Sequence, residues 1–233
     1  MDETRRLLAA TGGPELSRTA VCRATEAVGW GRKKSVHASE RDTEHVVALR
    51  REFVEGMQGE GFTRFVFVDE TSTNLTYCRH YGRTPAGQRV DQAAPLRNGP
   101  NVTLIAALTP AGLGAQLSAD GAATGAIFAA YLDQVLGPTL QAGDVVVLDN
   151  CAIHKGKDLA EIVGRYGARL LYLPPYSPDF NPIEQAFSKI KTWLRTAQAR
   201  TRDLLEATIK AAAEWITEQD AKNWFDHCGC HVQ

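Results

Sequence analysis

Two short hydrophobic stretches of the sequence each end in an aspartate. Residues 64–68 lead into Asp69, and residues 144–148 lead into Asp149. Their β-branched and aromatic residues predict buried strands, and a carboxylate that ends such a strand lies at the sheet rim, where open α/β sheets bind ligands. A single aspartate of this kind is more often a solvated strand end or a helix cap. Two in one sheet favour a functional site.

A third acid, Glu184, begins a predicted helix that starts at Pro182. Asn181 fits the N-cap of this helix and Glu184 its third position, so a capping interaction explains the glutamate without catalysis. Helical spacing supports a second interpretation, because Glu184 shares a polar face with Lys191 and Arg195. An acid followed by cations is expected for a metal-binding carboxylate beside a phosphate backbone. The residues alone leave both interpretations open.

The chemistry that these acids could perform follows from their type. Three carboxylates from two strands and a helix are the hard oxygen ligands that Mg²⁺ prefers, and the middle of the sequence has no cluster of Cys and His suited to zinc. Two such ions held ~3.5 to 4 Å apart activate a water or a sugar hydroxyl and stabilise the leaving oxygen in phosphodiester chemistry. The pattern predicts a metal-dependent nuclease or strand-transfer enzyme.

Three polar residues adjoin the acids. Glu70 follows Asp69 directly and therefore points to the other side of the strand, which favours a structural or supporting role over metal ligation. Asn150 could orient a ligand carboxylate, and His154 could touch phosphate. The alternative for this pair is a helix cap and an exposed histidine. Neither interpretation of the pair is favoured.

Six basic residues are candidates for contacts with DNA phosphates. They are Arg32, Lys33, Lys34, Lys189, Lys191 and Arg195. The commoner fate of such charges is a solvated face. The position of Lys191 and Arg195 beside the acids favours DNA for these two.

Composition limits the class of protein. The chain has 233 residues, 44% of them hydrophobic, which is enough for a sizeable core and excludes a disordered tail. The net charge of -1 excludes a globally basic coat for nucleic acid. No apolar run reaches the ~20 residues needed to span a bilayer, and the start lacks a signal-peptide pattern, so a cytoplasmic protein, associated with the nucleoid through DNA, is expected.

The five cysteines are odd in number and scattered, which predicts reduced thiols. In the tail from His227 to His231 the spacing of Cys228 and Cys230 is C-x-C, shorter than zinc sites use. Zinc is therefore disfavoured there.

The elements that must position the acids can be read from periodicity. We expect a helix at 15–28, a linker helix within 38–60, and a main body at 61–233. The body opens with the strand into Asp69, followed by a long loop at 72–98 and a hairpin at 102–118. Strands and helices then alternate as far as a last helix at 201–218, which predicts parallel pairing. The expected fold is α/β, with a mixed sheet of three antiparallel strands in front and two parallel strands behind, flanked by helices.

An ordered set of sequence blocks resembles a known family. Asp69, Asp149 and Glu184, with 34 residues between the last two, resemble the DDE triad of mariner-superfamily transposases, in particular the bacterial insertion-sequence branch called the six-thirty group. The surrounding blocks match as well, at residues 68–71, 149–154, 173–184 and 225–229.

The resemblance implies a ribonuclease-H-like core in which Asp69 and Asp149 share two Mg²⁺ ions, with Mn²⁺ as a substitute, and Glu184 completes the second ion's ligands. It also implies cut-and-paste transposition. The partners would be the double-stranded DNA of the element's inverted repeats and of the target, with insertion at TA, and the enzyme would act as a homodimer on DNA.

Relatives carry a paired helix-turn-helix region at the N-terminus, of which residues 1–37 resemble only a remnant. The missing part could be encoded in an upstream frame, whose product would then be a partner. Two other functions stay open: a catalytically silent DNA-binding or regulatory fragment, and a structure-specific nuclease or resolvase with the same fold. Segment 176–184 argues against the last of these.

Overall fold

The computed structural model describes residues 2–30, 37–57, 62–96, 99 and 101–230. The chain forms two compact units, Met1–Ala38 and Ser39–Gln233. The first contains helices α1 (Asp2–Ala10) and α2 (Arg18–Ala27). The hydroxyl of Ser17 caps α2 by accepting a hydrogen bond from the Ala20 N–H, and α2 lies within the predicted helix at 15–28.

The second unit is built on a five-stranded sheet. The strands are β1 (Phe65–Thr73), β2 (Val102–Thr109), β3 (Gly112–Asp120), β4 (Val145–Leu148) and β5 (Arg169–Tyr172). Their order in the sheet is β3-β2-β1-β4-β5, with antiparallel pairing from β3 to β1 and parallel pairing from β1 to β5. This confirms the predicted mixed sheet.

Strand β1 is longer than predicted, and the reason bears on the site. Its first part pairs with β4 only as far as Phe67, opposite Val147. Its second part continues to Thr73 because β2 still pairs with it there. The prediction that the strand ends at Asp69 is therefore wrong. Asp69 lies inside β1, just beyond the point where β4 stops pairing.

Helices of the second unit cover both faces of the sheet. They are α3 (Glu44–Met57), α4 (Gly125–Tyr131), α5 (Leu159–Gly164), α6 (Ile183–Ala197), α7 (Arg202–Glu214) and α8 (Glu218–His227). One π-helical turn, Leu132–Leu136, continues α4. No helix in the described part of the chain is both long and apolar enough to cross a membrane.

Two cores result from this layering. On one side of the sheet, called the α6 face, Phe65 and Phe67 of β1 pack with residues of α6, α7 and α8. On the other side, called the α4 face, Val66 and Val68 of β1 pack with residues of α4 and α5. Alternation along β1 decides which side chain serves which core, so Asp69 belongs to the α6 face and Glu70 to the α4 face.

Two helices were not predicted, α1 and α8. The second of these carries a visible signal, since Thr217 and Asp220 form a reciprocal capping box at its start. The predicted helix at 201–218 is shorter, because Trp215 ends α7 before the next cap begins.

Candidate active site

Asp69 is a buried carboxylate, only 8% exposed. One of its oxygens accepts a hydrogen bond from the Glu70 N–H at 2.8 Å, and the other accepts one from Asn181 Nδ2 at 2.9 Å. Burial raises the pKa of Asp69 to about 7, although the Glu70 N–H opposes the rise. The charges of three neighbouring carboxylates, Asp149, Glu70 and Glu184, add to it. An acid in this environment favours a nearby cation, because a cation stabilises its ionised form.

Asp149 lies directly after β4 and is fixed by its neighbours. Its Oδ1 accepts the Cys151 N–H at 2.8 Å and lies 2.5 Å from His154 Nδ1. Burial alone would raise the pKa of Asp149, but the His154 contact, the Cys151 N–H and the charge of Lys155 outweigh it and lower the pKa. The carboxylate is therefore ionised at neutral pH.

His154 joins the two strands beneath the site. Its side chain is fully buried, with Nε2 2.9 Å from Glu70 Oε2 and Nδ1 facing Asp149. The ring packs against Phe128 of α4, with 4.3 Å between centroids and an angle of 42° between the ring planes. Burial would lower the pKa of His154, but hydrogen bonds and charges of the two carboxylates raise it to about 10. The imidazole is thus a cation at neutral pH, and the alternative of an exposed histidine is wrong.

Glu184 lies exposed in the first turn of α6. The capping interpretation fails here, because Pro182 is the N-cap residue and no side chain caps the helix. The Asn181 amide instead donates to Asp69, 112 residues away. The buried stripe of α6 consists of Ile183, Phe187, Ile190 and Leu194, which recur at helical spacing. That stripe aims Glu184 away from the core.

The three acids line one cleft of about 520 Å³. Its wall also contains Asn150, Lys155, Tyr176 and Asn181. The Asn150 amide donates to the Leu173 carbonyl and so ties the end of β4 to the segment after β5. Lys155 was missed by sequence reasoning, although it follows the Asp149 block directly.

A tighter cluster lies beside the cleft. Within the described residues, the set of three donor groups whose atoms lie within 4.8 Å of one another is Asp69, Glu70 and His154. In this set both imidazole nitrogens already face carboxylates, Asp149 at Nδ1 and Glu70 at Nε2, which leaves His154 no ring nitrogen for a metal. The three acids of the cleft are the better candidates for metal ligands.

A contact from α3 holds the loop that precedes α6. Arg50 is bidentate to Asp179, with its Nη1 3.1 Å from Oδ1 and its Nη2 2.8 Å from Oδ2. It also donates to the Ser177 hydroxyl, and its guanidinium lies 4.2 Å from the centre of the Phe180 ring. Phe53 stacks on Phe180 at 5.5 Å. Sequence reasoning missed this contact, because about 130 residues separate its two sides.

The predicted DNA contacts lie in different settings. Lys189 is engaged within the helical layer, since its ammonium lies 2.7 Å from Asp220 Oδ2 and donates to the Trp215 carbonyl. Lys191 is half-buried on α6, and the Arg195 guanidinium lies 5.5 Å from the centre of the Tyr77 ring. Arg32, Lys33 and Lys34 lie outside the described residues.

The two cysteines of the tail lie in the core. Cys228 and Cys230 are buried, and burial raises their pKa to about 11 and about 12. Both thiols therefore stay protonated at neutral pH in the metal-free chain. His231 lies outside the described residues.

Comparisons with solved structures indicate the fold. The chain is similar to the Mos1 mariner paired-end complex with Mn, at 15% identity and a TM-score of 0.65 over 97% of this chain and 70% of that one. It is similar to the Mos1 strand transfer complex, at 15% identity and a TM-score of 0.63 over 100% of this chain and 78% of that one. It is also similar to the catalytic domain of Mos1 mariner transposase, at 12% identity and a TM-score of 0.61 over 86% of this chain and 96% of that one.

These likenesses confirm the ribonuclease-H-like fold expected from the sequence. No curated protein matches the chain. The model of the family described as DDE superfamily endonuclease matches residues 64–206, which include β1, β4 and the start of α6. Since this match spans more than half of the sequence, the chain belongs to the DDE superfamily endonucleases.

Proposed function

We propose that this chain catalyses metal-dependent cleavage of DNA at the ends of a mobile element and transfer of the freed strand into target DNA. The observation that carries the proposal is the meeting of Asp69, Asp149 and Glu184 in one cleft. In the first reaction water adds to a phosphodiester and the 3′-oxygen leaves as a hydroxyl. In the second, that hydroxyl attacks a target phosphodiester, and the target's own 3′-oxygen leaves.

Divalent metal fits the residues of the cleft. Asp69 is buried among other carboxylates, and Asn181 Oδ1 is buried without a hydrogen-bond partner in the described part of the chain. Asp69, Asp149 and Glu184 would hold two Mg²⁺ ions, with Mn²⁺ as a substitute, because hard oxygen donors suit both. When bound, such ions activate the attacking oxygen and stabilise the leaving one. The similar Mos1 paired-end complexes are complexes with Mn and with Mg.

The chain's own residues hold these acids in place. His154, itself held by Glu70, orients the Asp149 carboxylate, and Asn181 orients the Asp69 carboxylate. Asn150 braces the end of β4 through the Leu173 carbonyl. Glu70, Asn150 and His154 thus act as positioning residues. A fixed arrangement lowers the barrier because it removes the reorganisation that acids in water require.

Phosphates of the DNA would lie along α6 and at the cleft wall. Lys155 lines the cleft, and Lys191 and Arg195 follow Glu184 along the helix. We assign Lys189 a structural role instead, since Asp220 already faces its charge. We propose that Arg32, Lys33 and Lys34 of the first unit also contact DNA phosphates.

The larger setting of the enzyme is also part of the proposal. Residues 1–37 would be the remnant of a helix-turn-helix region, residues 38–60 a linker helix, and residues 61–233 the catalytic domain. The element's inverted repeats and a TA target would be its DNA partners, bound by a homodimer. We also propose that the chain belongs to the bacterial insertion-sequence branch and that an upstream-frame product with helix-turn-helix segments is its partner.

Cleavage of the element's own DNA tests the proposal. A supercoiled plasmid that carries the reading frame with its flanking DNA is incubated with the protein and Mg²⁺ or Mn²⁺. We expect nicks at the element ends, and a loss on the order of 10³-fold in Glu184→Gln, because one electrostatic group is removed from the reacting centre. Glu214→Gln is the matched control, since Glu214 is exposed on α7 away from the cleft. Undiminished cleavage by Glu184→Gln would sink the assigned role.

The same assay separates the alternative function. A silent regulatory fragment would bind the plasmid ends but leave them intact with either metal, and its binding would survive the loss of all three acids.

A further inference from the structure

Tyr176 lines the cleft in a backbone conformation that is unusual for its residue type. Its φ is +53°, in the left-handed region that Gly, Asn and Asp adopt with ease and bulky residues avoid. Gln198 has a similar φ, but it caps the end of α6, where this conformation is common. A tyrosine at this place carries a strain that glycine or asparagine would avoid.

Packing does not offset that strain. Tyr176 is 51% exposed, whereas its neighbour Ser177 is only 5% exposed. An aromatic residue stabilises a fold mainly through burial, and half of the surface of Tyr176 lies in water. The benefit of a tyrosine here therefore lies outside the folded chain, in something that the ring contacts across the cleft.

The loop that presents the ring is fixed on both sides. Pro174 and Pro175 precede Tyr176, and Pro178 follows shortly after, so the backbone has few alternative conformations. Arg50 holds Ser177 and Asp179 from α3. The ring is thus presented to the cleft at little further cost in conformational entropy.

We propose that Tyr176 is a stacking platform for an unpaired nucleobase next to the phosphate that is cut. The proposal rests on the proposed function, because the same cleft holds Asp69, Asp149 and Glu184. The cleft of about 520 Å³ has room for one nucleotide beside the acids. A base that leaves the stack next to the phosphate would enter this space and meet the Tyr176 ring.

Chemistry also favours a base as the occupant. Every nucleobase has a π-face, so stacking on tyrosine tolerates any sequence. Lys155 on the same wall supplies a positive charge for the backbone beside the base. Enzymes that unstack a base lower the cost of the distorted strand by stacking it on an aromatic side chain.

Binding of a short single strand tests the stacking directly and needs no cleavage. The probe is an oligothymidylate nonamer with one central 2-aminopurine, titrated with the full chain in Mg²⁺, and its fluorescence reports stacking on an aromatic ring. We expect quenching by the wild type and by Tyr176→Phe and Tyr176→Trp, which keep a ring. Tyr176→Ala should lose the quenching and bind at least about fivefold more weakly.

Two further variants guard against a merely structural explanation. Tyr176→Gly removes the ring and relieves the strained backbone, so it should unfold at a higher temperature than the wild type yet quench no better than Tyr176→Ala. Tyr81→Ala removes a ring that is 93% exposed and does not line the cleft, and it should behave as the wild type. Equal quenching and affinity in Tyr176→Ala and the wild type would overturn the proposal, and so would an equal loss in Tyr176→Phe and Tyr176→Ala.

Cleavage assays then separate this inference from the proposed function. On fully paired element ends, Tyr176→Ala should nick at least about fivefold more slowly than the wild type. The deficit should shrink when the base beside the cut is mismatched beforehand, because unpairing is then already complete. If the wild type fails to nick any end, the proposed function fails while the quenching experiment still decides the role of Tyr176. A deficit that is the same on paired and mismatched ends would contradict the stacking role.

Discussion

The two faces of the central sheet support the candidate site by different means. On the α4 face a buried cation, His154, lies between Glu70 and Asp149 and is covered by Phe128. On the α6 face the support comes from a surface loop, in which Arg50 holds Asp179 and the Asn181 amide reaches Asp69. One face uses buried charge, and the other uses a loop clamped by a distant helix.

Because the two faces support the site differently, mutations on them should reduce the stability of the fold by different amounts. A buried charge network costs much stability if one member is removed, because the remaining charges lose their partners. A clamp of partly exposed groups contributes little stability, since solvent screens it, yet it sets the position of the carboxylates. We therefore expect damage on the α4 face to unfold the protein and damage on the α6 face to slow the reaction.

The largest predicted effect is on the α4 face. His154→Gln keeps polarity and approximate size but removes the charge between Glu70 and Asp149. We expect the free energy of unfolding to fall by about 2 to 3 kcal/mol, which urea titration measures. The Asp149 side chain is 44% exposed, so this decrease in the free energy of unfolding should be smaller than for a fully buried ion pair.

His45→Gln is the matched control, because His45 is exposed on α3. It should leave unfolding unchanged, and so should Glu184→Gln on the α6 face. If His154→Gln were as stable as these two, the contrast between the faces would fail.

The next effect is on the reaction rate, from the α6 face. Arg50→Lys keeps the charge but loses the planar fork that reaches both oxygens of Asp179. The loop before α6 then loosens, and we expect Mg²⁺-dependent nicking to slow on the order of tenfold, with stability reduced by only about 1 kcal/mol. Single-turnover nicking at saturating DNA measures the rate.

Arg51→Lys serves as the control for this variant, since Arg51 is the next residue and is exposed. Equal nicking rates in Arg50→Lys and Arg51→Lys would show that the contact between Arg50 and Asp179 does not position the site.

The individual strands and helices that form the two faces could be predicted from the sequence. Short runs of β-branched residues identified the strands that carry Asp69 and lead into Asp149, and helical spacing identified the buried stripe of α6. The hairpin predicted at 102–118 is present as β2 and β3. Each of these features depends on residues that lie close together in the sequence.

The contacts that distinguish the two faces could not be predicted in the same way. The Asn181 side chain could either accept from the N–H groups at its own helix start or donate to a distant carboxylate, and only the packing of α6 against β1 decides for donation to Asp69. Likewise, the burial of His154 depends on Phe128 of α4 and on Glu70, 84 residues away. Lys189 belonged by spacing to a basic face, but α8 brings Asp220 to it.

The smallest predicted effect concerns this last pair and shows whether charge on the α6 face affects stability at all. Hydrogen bonds from Lys189 and Thr217 lower the pKa of Asp220 from 3.8 to about 2. The pair therefore stabilises the fold fully above pH 4 and loses its effect as the pH falls toward 2. Asp220→Asn keeps an oxygen for the Thr217 N–H but removes the charge, so its deficit in free energy of unfolding should stay below about 1 kcal/mol, since solvent screens the pair. That deficit should be largest above pH 4 and vanish near pH 2, and Lys189→Met should show the same pH dependence. A deficit that stays constant from pH 6 to pH 2 in both variants would mean that packing, and not charge, joins these helices.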